Sequence, residues 1–135
     1  YGTFSPVRTA DIREHRMHAE WVEIPGETAR AVAEAKAQGR PVVAVGTTSA
    51  RALEGACEAT GGRLEPFAGW TDIFIRPGRP FTVVDAMLTN FHLPGSSLVI
   101  MVAALAGKSV VLDAYAHAVR ERFRFFSYGD AMLIR

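Results

Sequence analysis

Apolar positions recur along this chain at two different periods, and the switches between them mark out short elements. From His18 to Ile24 they alternate as in a half-buried strand, and Pro25-Gly26 supplies a turn. Between Glu27 and Gln38 strong helix formers carry Ala29, Val32, Ala33 and Ala37 at helical spacing, with Gly39 at the expected C-terminal stop. Pro41-Val42-Val43-Ala44-Val45 is a continuous apolar run, the pattern of a strand covered on both faces. Gly46-Thr47-Thr48-Ser49 turns it into a second helix, Ala50 to Thr60, stopped by Gly61-Gly62.

Thr71 to Ile75 and Phe81 to Asp85 read as strands separated by Arg76-Pro77-Gly78-Arg79-Pro80, the second with room to run on toward Leu88. Leu93-Pro94-Gly95 breaks the chain, Ser96 or Ser97 caps a buried helix to Ala106, and Gly107 ends it. Ser109 is the expected cap of an amphipathic helix from Val110 to about Arg122, and Ala131 to Ile134 forms a last strand. Helices and strands that alternate over short connections predict an α/β fold with a largely parallel sheet. There is no repeat, low-complexity tract or linker, and Gly61-Gly62 to Gly69 is a candidate mobile loop.

Composition narrows the class. The 135 residues are 49% hydrophobic and 21% charged, the balance of a packed globule. The formal net charge of +1 provides no global field for nucleic acid or membrane, so such a partner must be met by local patterning. Thirteen of the 15 basic residues are Arg, the side chain that forks onto carboxylate or phosphate, although a GC-rich coding bias produces the same imbalance. The single cysteine, Cys57, excludes an internal disulfide and fits a reducing, cytoplasmic setting. The longest apolar stretch, Ser97 to Ala106, spans about ten residues where a bilayer crossing needs about twenty, so no membrane role is expected.

Four constellations offer chemistry. Val45-Gly46-Thr47-Thr48-Ser49-Ala50-Arg51 is a strand passing through glycine and hydroxyls into a helix start, where free N–H groups attract carboxylate or phosphate. The second glycine and the lysine of a P-loop are missing, and the plain alternative is a hydroxyl capping the helix. Thr89-Asn90-Phe91-His92-Leu93-Pro94 is another strand end, and His92, with an unperturbed pKa of ~6.5, is a proton donor or acceptor unless it merely bonds backbone. Arg122-Phe123-Arg124-Phe125-Phe126-Ser127-Tyr128-Gly129-Asp130 alternates guanidinium with aromatic groups, as in base stacking or in ordinary core packing. His15-Arg16-Met17-His18-Ala19-Glu20 holds three metal-ligand types at a spacing that matches no metal motif, so no metal is expected; in an extended segment His18 and Glu20 share a face.

Together with Gly2-Thr3-Phe4-Ser5-Pro6-Val7 and Thr71-Asp72-Ile73-Phe74-Ile75-Arg76-Pro77-Gly78, and with Ala52-Leu53-Glu54 and Ala131-Met132 extending their blocks, these motifs stand in an order that resembles the C-terminal portion of the S-adenosylmethionine:tRNA ribosyltransferase-isomerases of queuosine biosynthesis. Six blocks span nearly the whole chain. Arg79 and Phe123 stand where the family pattern has tyrosine. The resemblance implies that residues 1–135 are the closing portion of a catalytic α/β domain, a distorted α/β barrel whose N-terminal part and inserted β-barrel are absent. That also accounts for a chain opening on Tyr1 and not on Met.

The implied reaction moves the ribosyl group of S-adenosylmethionine, a co-substrate and not a tightly bound cofactor, onto 7-aminomethyl-7-deazaguanine at the tRNA wobble position. Epoxyqueuosine-tRNA forms, and adenine and methionine leave. On this resemblance Gly46, Thr47, Thr48 and Ser49 grip the carboxylate or ribose, with Arg51 as charge partner. His92 is the acid or base, Asn90 a polar anchor, and Asp130 a second base or a neighbour of the sulfonium. Phe126 and Tyr128 stack adenine or the target base, while His18 and Glu20 orient a hydroxyl. The alternatives are an inactive tRNA-binding or structural module, and an unrelated small-ligand α/β enzyme. An incomplete barrel is expected to expose strand edges and apolar surface, and so to self-associate.

Overall fold

Hydrogen-bonded pairing selects which extended segments become strands. The computed structural model describes His15 and residues 17–135, so the Gly2–Val7 motif and Arg16 lie outside the described residues. The elements run β1 (Glu20–Ile24), α1 (Gly26–Ala37), β2 (Val43–Val45), α2 (Thr47–Ala59), β3 (Phe67–Thr71), β4 (Ala86–Asn90), α3 (Ser97–Ala106), α4 (Lys108–Arg120) and β5 (Ala131–Ile134). The fold is mixed α/β, as expected, but among the described residues the sheets are mixed and not largely parallel. Strand β2 pairs with β4 in parallel, β5 returns antiparallel to β4, and β1 and β3 form a separate antiparallel pair.

Two strand assignments move. Thr71, Ile73 and Ile75 are buried in alternation, as their spacing predicted, yet among the described residues no strand pairs with residues 72–75; the paired segment lies before them, in β3. Phe81 to Asp85 is not a strand either. The buried Glu54 carboxylate of α2 accepts the N–H groups of Thr82, Val83 and Val84, each at 2.9 Å, in place of a neighbouring strand. Pairing begins only at Ala86.

One face of the three-stranded sheet is packed. Ala44, Met87 and Ile134 meet Ala50 and Cys57 of α2, Met101 and Val102 of α3, and Val111 of α4 in one core. The other face is open. The register sets Val45 beside Leu88 and Leu88 beside Leu133, and these are 67%, 39% and 61% exposed. The apolar run at Pro41–Val45 therefore does not describe a strand covered on both sides within these residues.

Helix starts follow the glycines more than the hydroxyls. Gly46, at φ 88° and ψ 147°, precedes α2, which begins at Thr47 and not at Ala50. Gly107, at φ 90°, ends α3 and also precedes α4, displacing the expected cap at Ser109. Ser96 does cap α3, its hydroxyl oxygen accepting the Val99 N–H at 3.4 Å. Among the described residues no single helix is long and apolar enough to cross a membrane; α3 and α4 bend by 117° across Gly107.

Candidate functional site

Two parallel strands end side by side, and the loops leaving them enclose a cavity of about 410 Å³. Gly46, Thr47 and Thr48 follow β2, whereas Thr89, Asn90 and His92 come from the end of β4 and the loop after it. Pro94 and Ser96 continue that wall, and Phe126 and Ser127 close it from the C-terminal loop. Carboxyl ends of adjacent parallel strands are where α/β folds place ligands.

The first wall presents backbone donors. The earliest bond of α2 runs from the Ala50 N–H to the Gly46 carbonyl at 3.3 Å, so the N–H groups of Thr47, Thr48 and Ser49 precede the helical ladder. None of the three hydroxyls caps the helix, because the cap residue is glycine; Ser49 Oγ instead donates to the Val45 carbonyl at 2.9 Å. An anion or a ribose hydroxyl fits such an arrangement.

His92 supplies the second wall. Its Nε2 lies 3.0 Å from Thr89 Oγ1, and its backbone N–H donates to the Tyr115 hydroxyl at 2.9 Å. Burial pushes the imidazole below its ordinary value, favouring the neutral ring. Burial also raises the Tyr115 phenol, partly opposed by the hydrogen bond from His92.

The lowered imidazole links pH to stability. Above about pH 6.5 the ring is neutral folded and unfolded, and it contributes nothing. Below that value the unfolded chain binds the proton first, so this group takes stability away as pH falls toward the folded value. Denaturant unfolding should thus show a loss from pH 7 to 5.5 that His92→Gln diminishes. An unchanged pH slope in that variant would count against the buried neutral ring.

The third wall is a folded-back loop. Asn90 Nδ2 donates to the Gly129 and Asp130 carbonyls, both at 3.3 Å, and the Phe126 N–H reaches the Phe91 carbonyl at 3.0 Å. Phe126 adopts φ 70°, an uncommon backbone for a bulky side chain, and its ring lines the cavity half exposed. Phe123 and Phe125 do ordinary packing work, their rings 5.7 and 5.4 Å from Phe91.

Asp130 does not line the cavity. Its carboxylate accepts the Arg124 backbone N–H at 2.7 Å and the Arg124 guanidinium at 3.3 Å, bonds that lower its pKa and tie the loop shut. Tyr128 is 98% exposed and also stands outside the lining. Arg51 and Glu20 are brought together, Nη1 to Oε2 at 2.8 Å, with Arg51 buried, and neither lines the cavity. His18 is exposed and likewise absent from the lining.

Thr89, Tyr115 and Ser127 were not singled out as site residues from sequence. Tyr115 carried a signal, since Val111, Tyr115 and Ala118 share one face of α4 and the flanking two are buried. A larger hollow of about 680 Å³ holds His15, Asp72, Arg76 and Arg79, but Arg79 is already paired with Glu58 at 3.0 Å. Among the described residues no three His, Cys, Asp or Glu side chains gather as metal ligands.

The comparisons agree with the motifs. The sequence profile of the family described as "Queuosine biosynthesis protein" matches residues 1–134. An S-adenosylmethionine:tRNA ribosyltransferase-isomerase of Nitratidesulfovibrio vulgaris (strain DP4) is 64% identical over 135 residues, which are 100% of this chain and 36% of that protein. One from Pelotomaculum thermopropionicum is 62% identical over 98% of this chain and 39% of its own length. A crystal structure of S-adenosylmethionine tRNA ribosyltransferase from Thermotoga maritima superposes with a TM-score of 0.78 at 50% identity, covering 84% of this chain and 39% of that one. The chain thus spans little more than a third of the relatives it matches. It belongs to the queuosine biosynthesis protein family.

Proposed function

We propose that the cavity between the ends of β2 and β4 is part of an S-adenosylmethionine site, and that this chain works within an enzyme transferring and isomerising the ribosyl group onto 7-aminomethyl-7-deazaguanine in tRNA. The observation that carries the reading is convergence. Residues of three separate sequence motifs, at Gly46–Thr48, Thr89–His92 and Phe126–Ser127, line one cavity.

The chemistry needs a grip on the ligand, a donor or acceptor at the reacting centre, and a dry wall. The sulfonium acidifies the adjacent ribose methylene. A base removes that proton, adenine is expelled, and the aminomethyl amine captures the electrophile before methionine departs. The N–H groups of Thr47, Thr48 and Ser49 suit the carboxylate or a ribose hydroxyl, Asn90 anchors the wall, and Phe126 offers a stacking face. His92 acts on protons or lone pairs at the ligand. Asp130 serves by holding the loop that carries Phe126, and Tyr128, exposed on that loop, stacks on the target base. The Arg51–Glu20 pair supports α2 from behind, and His18 stands in the segment leading to that pair.

The open row Val45, Leu88 and Leu133 supports the barrel reading, in which helices cover the outside and further strands of a longer protein cover this inner face. The setting we infer is the cytoplasm, where tRNA and S-adenosylmethionine meet.

A chimera tests the function. The 135 residues replace the matching segment of the Nitratidesulfovibrio vulgaris relative, and adenine release is followed with S-adenosylmethionine and modified tRNA. The chimera should turn over, and His92→Ala should lower its rate by about a hundredfold or more. Wild-type turnover in that variant would sink the assignment. The isolated chain is measured alongside, and binding without adenine release there would identify it as a binding portion that needs the remainder for catalysis.

A further inference from the structure

His92 offers either a lone pair or a proton to the cavity, and its neighbours decide which. Thr89 is buried, and among the described residues its hydroxyl has one hydrogen-bond partner, His92 Nε2 at 3.0 Å. A hydroxyl carries one proton to give, whereas a neutral imidazole carries one N–H and one lone pair. Were Nε2 protonated, it would donate to Thr89 Oγ1, and the threonine proton would have no acceptor among the described residues. With Nε2 bare, the threonine proton is used and nothing buried is orphaned. Leaving a buried donor unmade is the costlier alternative.

The other ring nitrogen completes the picture. Among the described residues Nδ1 has no hydrogen-bond partner, and it is not among their side-chain atoms sealed from solvent without one, which are Nε and Nη2 of Arg51. It therefore remains accessible on a residue that lines the cavity. The hydrogen bond from the His92 N–H to Tyr115 fixes the backbone that carries the ring.

We infer that Thr89 is a positioning residue that holds His92 as its Nδ1–H tautomer, so that the ring presents a neutral hydrogen-bond donor, and not a proton-abstracting base, to a lone pair on the ligand. This rests on reading the cavity as the ligand site. It divides the labour left open there: His92 steadies charge or a lone pair on the departing side, and the base is another group. No proton leaves the ring in this role, so no further co-reactant is required.

The test reads the ring directly. In the 135-residue chain with 15N-labelled histidine, His92 resonances are identified by their loss in His92→Gln. The expected spectrum shows a protonated Nδ1 and a bare Nε2 near neutral pH. Thr89→Val should lower the ratio of that tautomer to the other by about tenfold, and Thr89→Ser, which keeps the hydroxyl, should restore it. A protonated Nε2 with bare Nδ1 in the unaltered chain would overturn the inference, as would a folded Thr89→Val with the ratio unchanged. Should Thr89→Val fail to fold, the unaltered chain and Thr89→Ser still decide the outcome. Adding S-adenosylmethionine to the same samples separates the two readings: if the cavity is not the ligand site, His92 does not respond, while its tautomer stands as measured.

Discussion

Replacing Glu54 by alanine should lower the stability of the chain by about 4 kcal/mol, a large part of what a domain of this size has to lose. Glu54 is buried, and its two carboxylate oxygens receive three consecutive backbone N–H groups, those of Thr82, Val83 and Val84. Among the described residues no strand stands beside that segment to take over, so alanine leaves the buried donors at Val83 and Val84 unpaired and opens a gap beneath α2. Glutamine keeps one accepting oxygen but turns an N–H₂ group toward other donors, so it should fall between wild type and alanine. Urea unfolding measures the difference, and a loss under 1 kcal/mol for Glu54→Ala would contradict this role. The consequence reaches the site because the clamped segment leads directly into β4, whose far end carries Thr89 and Asn90.

A second large effect is expected from Gly129→Ala, this time on binding. A Cβ at Gly129 would collide with the Arg124 carbonyl oxygen and sit 2.7 Å from that of Phe125, and backbone atoms cannot swing aside as a side-chain tip does. The loop from Arg124 to Asp130 must open. Asn90 then loses the Gly129 and Asp130 carbonyls it now holds, and Phe126 and Ser127 leave the cavity wall. The core of α2, α3 and the sheet does not include this loop. Affinity for S-adenosylmethionine should thus fall at least tenfold, about 1.4 kcal/mol, while the chain stays folded. Calorimetric titration beside a far-ultraviolet spectrum checks both parts, and unchanged affinity would remove the C-terminal loop from the site.

Both effects arise from contacts that spacing does not reveal. Glu54 was legible only as part of a motif following the Gly46 turn; that it serves a distant backbone depends on where α2 crosses residues 82–84. Periodicity did place α1 and α3 within a residue or two, because glycine and proline bracket them, and β5 as the apolar run after Gly129-Asp130. Strand direction was less accessible. Alternating helices and strands suggest parallel neighbours, but β5 returns antiparallel to β4 after two successive helices, and β3 pairs with β1 across α1, β2 and α2. The burial of Ile73 and Ile75 was legible in their alternation, while their lack of a partner strand among the described residues was not.

The site was legible where chemistry sits at a strand end. Gly46, Thr47, Thr48, Asn90, His92 and Phe126 were all singled out by motif, and all line the cavity. Ser49 adjoins it without lining it, its hydroxyl turned back to Val45. Arg51, Glu20 and Asp130 drew attention as charged groups within motifs, and each is instead engaged with another residue of the chain. A charge near a ligand-like turn looks the same in sequence whether it faces a ligand or an opposite charge. Only the fold distinguishes the two.

The most direct measurement is a structure of a full-length family enzyme with S-adenosylmethionine bound, superposed on this chain. The account predicts the ligand between the turn at Gly46–Thr48 and the loop at Asn90–His92, with a ligand acceptor within hydrogen-bond reach of the His92 ring and Phe126 against one face. A ligand lodged instead in the polar hollow of His15, Asp72, Arg76 and Arg79, with the strand-end cavity holding only water, would contradict it.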